Sequence, residues 1–248
     1  MIEIRRIRKS FSGKPVLKGV SIDIPEDSAT VLIGRSGCGK TVLLRILIGL
    51  LRPDEGQVIV DGEDLSTLSR KALFRMRKKF GMLFQGAALF DSMTVGENIS
   101  LELREHTDLP RTEIAKKVRE KLDLVGLGGV EDRMPSELSG GMKKRVGLAR
   151  ALIMDPKYVL YDEPTTGLDP ETADAINELI GGTGRRLGIA SVVVTHDLVS
   201  ARRIGDRFAM ISDGHIVFEG TPDAFQACQK PAVRRFINGA GLDMEGRG

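Results

Sequence analysis

Apolar residues alternate with polar ones near the start of the chain and recur at helical spacing farther on. Val20, Ile22 and Ile24 alternate with polar neighbours, as expected for a half-buried strand. The apolar run ATVLIG ends in glycine and precedes a helix predicted from Lys40 to about Leu51. The first third of the chain is therefore predicted to be mostly strands.

The middle third has helical periodicity, and the last third alternates strand and helix. Ile114, Val118, Leu122 and Val125 lie at steps of three and four, which places them on one face of an amphipathic helix. The tetrapeptide TVGE at 94–97 has the spacing of a capping box. The later runs KYVLYDE and ASVVVTH alternate with helical segments, which favours an α/β sheet with the helical middle third as an insertion.

The composition is that of an ordinary globular protein. Of 248 residues, 41% are hydrophobic and 29% are charged, and a net charge of +3 gives no electrostatic case for a nucleic-acid-binding protein. No signal peptide is visible, and the densest apolar run, VLLRILIGLL, is interrupted by Arg45 and is shorter than the roughly 20 residues that span a bilayer. Cys38 and Cys228 are too few for a zinc site or a disulfide framework. We therefore expect a cytoplasmic chain that holds any metal through oxygen.

The stretch GRSGCGKT at 34–41 matches the phosphate-binding pattern Gly-x-x-x-x-Gly-Lys-Thr between an apolar strand and a helix. Its glycines let successive backbone N–H groups surround phosphate oxygens at the positive end of the helix, where Lys40 adds a full charge. The hydroxyl of Thr41 is then a ligand for Mg²⁺. The alternative is a glycine-rich turn with a solvated lysine, and the full spacing and context favour the nucleotide site.

A pair of carboxylates follows a second apolar strand. The segment KYVLYDEP delivers Asp162 and Glu163 at the strand end, where successive side chains point to opposite faces. We expect Asp162 to hold Mg²⁺ and Glu163 to accept a proton from, or orient, an attacking water. Exposed acids at a capped strand end are the alternative.

Three further motifs complete an ordered set. LSGGM at 138–142 precedes YDEP, and GLDP at 167–170 and VVVTHD at 192–197 follow it. Together with the phosphate-binding loop, this order covers essentially the whole chain and resembles the ATP-binding cassette (ABC) ATPase family. The resemblance implies an α/β P-loop NTPase fold with an N-terminal antiparallel β subdomain, a RecA-like core and an inserted α-helical subdomain. It also implies hydrolysis of ATP to ADP and phosphate.

The resemblance assigns one ABC ATPase domain to residues 1–240. The implied parts are the β and RecA-like core at 1–86 and 156–225, the helical signature subdomain at 87–155, a C-terminal helix at 226–240 and a tail at 241–248. The implied catalytic residues are Glu163, His196 and Lys40, and the implied metal ligands are Thr41, Gln85 and Asp162. The implied nucleotide-binding residues are Phe11, Gly34, Arg35, Ser36, Gly37, Cys38, Gly39, Lys40, Thr41, Val42, Gln85, Ser139, Gly140, Gly141 and Asp169.

Several of these assignments have an alternative. Phe11 fits the aromatic residue that stacks on adenine, and a plain core or strand-edge phenylalanine is an equal alternative. Gln85 matches the glutamine that contacts Mg²⁺ and water, with a surface glutamine as the alternative. His196 matches the switch histidine on the γ-phosphate, with a structural histidine as the alternative. Asp169 matches an acid that signals across a dimer, but before Pro170 it is also a natural N-cap.

Two poor helix formers, Gly140 and Gly141, stand at the start of a predicted helix. Ser139 can cap that helix while the bare amides of both glycines face outward as an anion site. In the ABC family this element closes on ATP held by a facing subunit. The resemblance therefore implies a head-to-tail homodimer with two sandwiched nucleotides.

Local features narrow the resemblance further. LFQGAALFDSMTVGENI, LREHTDLP and the methionine in LSGGM look like the ATPase of the Mla or Mce-associated phospholipid transport systems. That likeness implies an integral-membrane permease, an MCE-domain lipid carrier and, as an option, a STAS-domain subunit, with the ATPase peripheral on the cytoplasmic side of the inner membrane. The apolar segment GAALFDSM resembles the surface that receives the permease, and ordinary packing is the alternative.

Two other functions stay open. An importer of amino acids or another small polar solute shares FQ and TVxENI with this chain. A nucleic-acid-handling ABC protein is suggested only by the basic run from Arg70 to Lys79, for which a solvated helix face is the alternative.

Overall fold

The computed structural model describes residues 1–239, and the predicted tail at 241–248 lies outside the described residues. The strands are β1 (Ile2–Phe11), β2 (Lys14–Ile24), β3 (Ala29–Ile33), β4 (Glu55–Val60), β5 (Glu63–Asp64), β6 (Phe80–Leu83), β7 (Tyr158–Asp162), β8 (Ala190–Thr195), β9 (Arg207–Ser212) and β10 (His215–Gly220). The helices are α1 (Lys40–Leu47), α2 (Arg70–Arg77), α3 (Val95–His106), α4 (Arg111–Leu124), α5 (Gly140–Ala151), α6 (Pro170–Leu187), α7 (Leu198–Ile204), α8 (Pro222–Ala227) and α9 (Pro231–Gly239).

The strands form two sheets. The first is antiparallel with strand order β2-β1-β4-β5. The second has six strands in the order β10-β9-β3-β8-β7-β6, parallel throughout except where β10 pairs with β9. This arrangement confirms the predicted fold class, an antiparallel N-terminal sheet beside a mixed RecA-like sheet.

Helices α3, α4 and α5 lie between β6 and β7 in the chain and share a hydrophobic core with one face of the second sheet. The predicted apolar face of α4, with Ile114, Val118 and Leu122, is buried in that core. Thr94 caps α3, and Glu97 returns a hydrogen bond to the Thr94 backbone, so the predicted capping box is confirmed.

Helix α1 is shorter than predicted. It ends at Leu47 rather than near Leu51, because Gly49 turns the chain with φ 66° and the next residues form no further helical turn. The apolar run therefore continues past the helix that it begins.

The register of the parallel strands sets the position of the site. Thr195 of β8 pairs with Ile33 of β3, and Val194 of β8 pairs with Asp162 of β7. The segments that follow these three strands therefore leave the sheet side by side at its carboxyl edge, where open α/β sheets place their ligand sites.

Candidate active site

The loop at 34–41 runs from β3 into the first turn of α1, and two of its backbone oxygens bind the side chain of its own Lys40. Gly37 and Gly39 have φ 79° and 104°, values that L side chains rarely adopt, and a Cβ on Gly39 would lie 2.7 Å from Cδ2 of Leu17. The buried Nζ of Lys40 donates to the backbone oxygens of Gly34 at 2.8 Å and Arg35 at 3.1 Å. The loop thus holds an ammonium at the N-terminus of α1, the arrangement expected of an anion site.

Oxygen ligands suited to Mg²⁺ meet at the end of β7. The hydroxyl of Thr41 donates to Oδ1 of Asp162 at 2.8 Å. Burial raises the pKa of the Asp162 carboxyl, and the hydrogen bond from Thr41 partly offsets that effect. A hydroxyl and a buried carboxylate of this kind fit Mg²⁺, which takes one or two carboxylates beside phosphates and water.

Glu163 contacts the other two predicted catalytic residues, Lys40 and His196. Its Oε1 lies 3.6 Å from Nζ of Lys40, and its Oε2 lies 2.9 Å from Nδ1 of His196. Its backbone N–H donates to Val194, and its φ of 48° is in the left-handed region. The imidazole of His196 is 53% exposed, so the group opens to solvent on the histidine side. The carboxylate of Glu163 thus lies within ion-pair distance of a lysine and within hydrogen-bonding distance of an imidazole.

The loop that follows β6 carries Gln85. The Gln85 side chain is exposed, and its backbone oxygen accepts a hydrogen bond from Nζ of Lys144 on α5. Ala87 and Ala88 have φ 60° and 49°, again left-handed, and Arg150 of α5 donates to both of their carbonyl oxygens at 2.7 Å. Two basic residues of one helix therefore hold the glutamine loop in an unusual conformation.

Lys144 is a site residue that the sequence reasoning missed. It is only 5% exposed, and its Nζ also lies 3.4 Å from the carbonyl oxygen of Glu163. Burial lowers the pKa of the Lys144 ammonium, and the negative charges of Asp162 and Glu163 partly offset this. The available signal was its spacing four residues before the buried Leu148, which places it on the buried face of α5.

The signature stretch does not reach the phosphate-binding loop of its own chain. Ser139 caps α5 by accepting from the N–H of Met142 at 3.3 Å. Gly140 is exposed, whereas Gly141 is buried, and a Cβ there would lie 2.5 Å from Cγ2 of Thr172. Among residues 1–239, no hydrogen bond joins 139–141 to the loop at 34–41. The packing of α6 against Gly141 accounts for its burial, and the outward direction of the two glycine amides stays a prediction.

Two other predicted site residues, Phe11 and Asp169, contact residues other than Lys40, Glu163 and His196. Phe11, at the end of β1, is 44% exposed, with Nζ of Lys9 5.7 Å from its ring centre. Asp169 caps α6, and its Oδ1 accepts from the N–H of Thr172 at 3.0 Å. The N-cap role of Asp169 is thus present in the single chain.

The apolar segment at 86–93 is partly exposed, and its backbone is hydrogen-bonded to the side chain of Asn98. Phe90 is 50% exposed, while Ala87 is buried. The buried amide of Asn98 accepts from the N–H of Phe90 and donates to the backbone oxygens of Phe90, Met93 and Thr94. An aromatic side chain is thereby presented on a fixed loop.

The basic run from Arg70 to Lys79 is partly used within the fold. Arg77 donates to the carbonyl oxygens of Ile48 and Gly49, and Lys79 pairs with Asp61 at 2.9 Å.

No helix among residues 1–239 has both the length and the apolar character needed to span a membrane.

Comparison with known proteins gave matches to ATP-binding proteins of transport systems. The family described as ABC transporter matches residues 17–166. The chain is 44% identical over 238 residues to the probable ribonucleotide transport ATP-binding protein mkl of Mycobacterium leprae, covering 96% of this chain and 69% of that protein. It is 39% identical over 239 residues to the intermembrane phospholipid transport system ATP-binding protein MlaF of Escherichia coli K12, covering 96% of this chain and 89% of that protein.

The mycobacterial relatives are longer than this chain, which spans 66% of the corresponding protein of Mycobacterium tuberculosis H37Rv. Two solved structures share the fold. A dimeric ATP-binding cassette, MJ0796, in a post-hydrolysis state with ADP and Pi has a TM-score of 0.82 and 32% identity, covering 90% of this chain and 99% of that one. The protein cbiO1 of Clostridium perfringens, part of the ABC transporter complex cbiONQ, has a TM-score of 0.84 and 30% identity, covering 96% of this chain and 94% of that one.

Proposed function

The chain belongs to the ABC transporter family as an ATP-hydrolysing subunit, and from that membership we propose that it drives phospholipid transport across the cell envelope. The observation that supports a phospholipid cargo is the similarity to a protein named for intermembrane phospholipid transport, which is 39% identical over 96% of this chain. The relatives named for ribonucleotide transport, at 44% identity, keep a polar cargo as the competing candidate.

We assign the site residues the roles that the family resemblance implies. The amides of the loop at 34–41 and the ammonium of Lys40 bind the phosphates of ATP, and Phe11 stacks on the adenine. The oxygen ligands Thr41, Asp162 and Gln85 would hold Mg²⁺, which neutralises charge on the phosphates when bound.

The carboxylate of Glu163 takes the proton of the attacking water, a contribution worth roughly 10² to 10⁴ in rate. His196 is held by Oε2 of Glu163 at 2.9 Å, so its ring is oriented before nucleotide arrives. The exposed imidazole contacts the γ-phosphate from the solvent side.

A second copy of the chain completes each site. Ser139 and the backbone amides of Gly140 and Gly141 in one copy close on the γ-phosphate bound by the other, in a head-to-tail dimer with two ATP molecules. Asp169 of each copy lies at this interface. Closing with ATP and opening after hydrolysis transmits force to the permease.

The remaining partners follow from the same proposal. An integral-membrane permease docks on the apolar segment at 86–93, around the exposed Phe90. The ATPase is then peripheral on the cytoplasmic side of the inner membrane. An MCE-domain lipid carrier receives or delivers the lipid, and a STAS-domain subunit is an optional addition.

The test is to isolate the membrane complex from native cells through a tag on this chain, then identify its subunits and bound lipid by mass spectrometry. We expect a permease, an MCE-domain protein and phospholipid. We also expect ATP-dependent lipid transfer from phosphatidylethanolamine–phosphatidylglycerol vesicles, abolished by Glu163→Gln. A complex without phospholipid whose ATPase rate responds to an amino acid or a ribonucleotide would overturn the lipid assignment and leave the ATPase assignment intact.

A further inference from the structure

Three residues adopt the unfavourable left-handed conformation, and the carbonyl group of each accepts a hydrogen bond from a side chain of α5. Glu163, Ala87 and Ala88 have φ 48°, 60° and 49°. For residues with a Cβ this conformation costs free energy and persists only where the surroundings enforce it. The carbonyl of Glu163 accepts from Lys144, and those of Ala87 and Ala88 accept from Arg150.

Lys144 connects two separate parts of the site. Its Nζ donates to the carbonyl oxygen of Gln85 and lies 3.4 Å from that of Glu163. The described residues give this ammonium no hydrogen bond to a carboxylate, although it is only 5% exposed. A buried cation whose hydrogen bonds go only to backbone oxygens constrains the conformation of the main chain at those oxygens.

We propose that Lys144 is a positioning residue of the ATPase site. It fixes the backbone carbonyl group of Glu163 and links the loop that carries Gln85 to helix α5. The Glu163 backbone is then held on both sides, by its N–H on Val194 and by its carbonyl oxygen on Lys144. With both ends held, the carboxylate points toward Lys40 and His196.

The same contact links motifs that act on different nucleotides. The helix α5 begins with the residues that close on the facing subunit's ATP, and Lys144 lies one turn farther along it. A shift of α5 on closure therefore moves the carbonyls of Gln85 and Glu163 in the chain's own site. This inference rests on the proposed roles of Glu163 and Gly140.

The test compares purified membrane complexes that carry Lys144→Met, Lys144→Arg, Arg150→Met or Glu163→Gln. Lys144→Met removes the ammonium and keeps most of the length, and Lys144→Arg keeps a cationic donor. Arg150→Met is the matched control, because it removes a cation on carbonyl oxygens from the same helix without a contact to Glu163. The measured quantities are kcat, KM for ATP, and ATP affinity by calorimetry.

We expect Lys144→Met to lower kcat by about 10²-fold, the loss that follows a small misplacement of a catalytic group, with ATP affinity within about threefold of wild type. Lys144→Arg should recover most of kcat, and Arg150→Met should lower it less than Lys144→Met. A normal kcat for Lys144→Met, an equal loss in Arg150→Met, or a loss of ATP affinity that matches the loss of kcat would overturn the proposal.

Two controls keep the result decisive. If Lys144→Met shows no cooperative unfolding, Lys144→Gln replaces it, because glutamine keeps a donor without the charge, and the same criteria apply. If Glu163→Gln retains turnover, the role of Glu163 fails. If Glu163→Gln is inactive while Lys144→Met is normal, only the role of Lys144 fails.

Discussion

The adjacent glycines at the start of α5 yield separable predictions because their surroundings differ. A Cβ on Gly141 would lie 2.5 Å from Cγ2 of Thr172, whereas a Cβ on Gly140 would lie 3.5 Å from Cδ2 of Leu168, an ordinary contact. The N–H of Thr172 is bound by the cap residue Asp169, which resists movement of this part of α6. We therefore expect Gly141→Ala to disturb the packing of α5 on α6 and Gly140→Ala to be accommodated.

The size of the effect follows from the difference between the two variants. Both replace glycine by alanine in the same first turn, so the gain in helix propensity of up to about 1 kcal/mol largely cancels between them. What remains is the overpacking at Gly141, which costs about 1–3 kcal/mol. In a chain of this size each 1 kcal/mol lowers Tm by about 2–4 °C, so Gly141→Ala should melt about 2–12 °C below Gly140→Ala.

Thermal unfolding without nucleotide, followed by circular dichroism, measures this difference. Thr172→Ser removes Cγ2 and keeps the hydroxyl, so the double variant Gly141→Ala with Thr172→Ser should regain most of the lost stability. Equal melting temperatures for the two alanine variants, or no recovery in the double variant, would refute the packing argument. The outcome also matters for function, since a bulky residue at Gly141 would damage the fold as well as the proposed dimer interface.

Three further outcomes are expected. Glu163→Gln should lower ATP turnover by about 10²-fold or more while a nucleotide-bound dimer accumulates in size-exclusion chromatography; normal turnover would remove Glu163 from its role. Asp169→Ala should lower both Tm and turnover, whereas Asp169→Asn, which can still cap α6, should lower turnover alone; full turnover in the asparagine variant would leave only the capping role. Burial raises the pKa of the Cys38 thiol, so less thiolate is present at a given pH. In a Cys228→Ser chain, the pH profile of Cys38 alkylation should therefore have its midpoint above the ordinary pKa of a thiol. A midpoint below that value would contradict the effect of burial.

The parts of the fold that were predictable are those encoded by local spacing. Alternating and apolar patterns predicted β2, β3, β7 and β8, and helical spacing predicted the buried face of α4. TVGE predicted the capping box of Thr94 and Glu97. The glycine-rich stretch at 181–188 offers several possible ends for α6, and the helix in fact runs to Leu187 and stops where Gly188 adopts φ 61°. Glycines inside that helix are tolerated because its apolar face, with Ile176 and Ile180, is buried.

The missing parts of the site depend on contacts between distant segments. No pattern in KKR identifies Lys144 as the residue that reaches both Gln85 and Glu163, which lie 59 and 19 positions away. The left-handed conformation of Ala87 and Ala88 has no sequence signal, because alanine rarely adopts it without external support. Likewise, the need for glycine at position 141 comes from Thr172 on the next helix and is invisible in the motif itself.

The central claim, that one chain holds ATP and a second copy completes the site, is tested most directly by mixing two inactive variants. Lys40→Ala removes the ammonium of the phosphate-binding loop, and Gly140→Asp puts a negative charge where the signature meets the facing ATP. Aspartate is favourable in the first turn of a helix, so the Gly140→Asp chain should fold. Neither variant alone can form a complete site, but a head-to-tail pair of the two retains one.

Both chains also carry Glu163→Gln, so that hydrolysis does not reopen the dimer. We predict by light scattering that ATP and Mg²⁺ produce no dimer of either variant alone and a clear population of dimer in the equimolar mixture. A mixture that stays as monomeric as its components, while each variant is folded and the Glu163→Gln chain alone dimerises, would contradict the shared site.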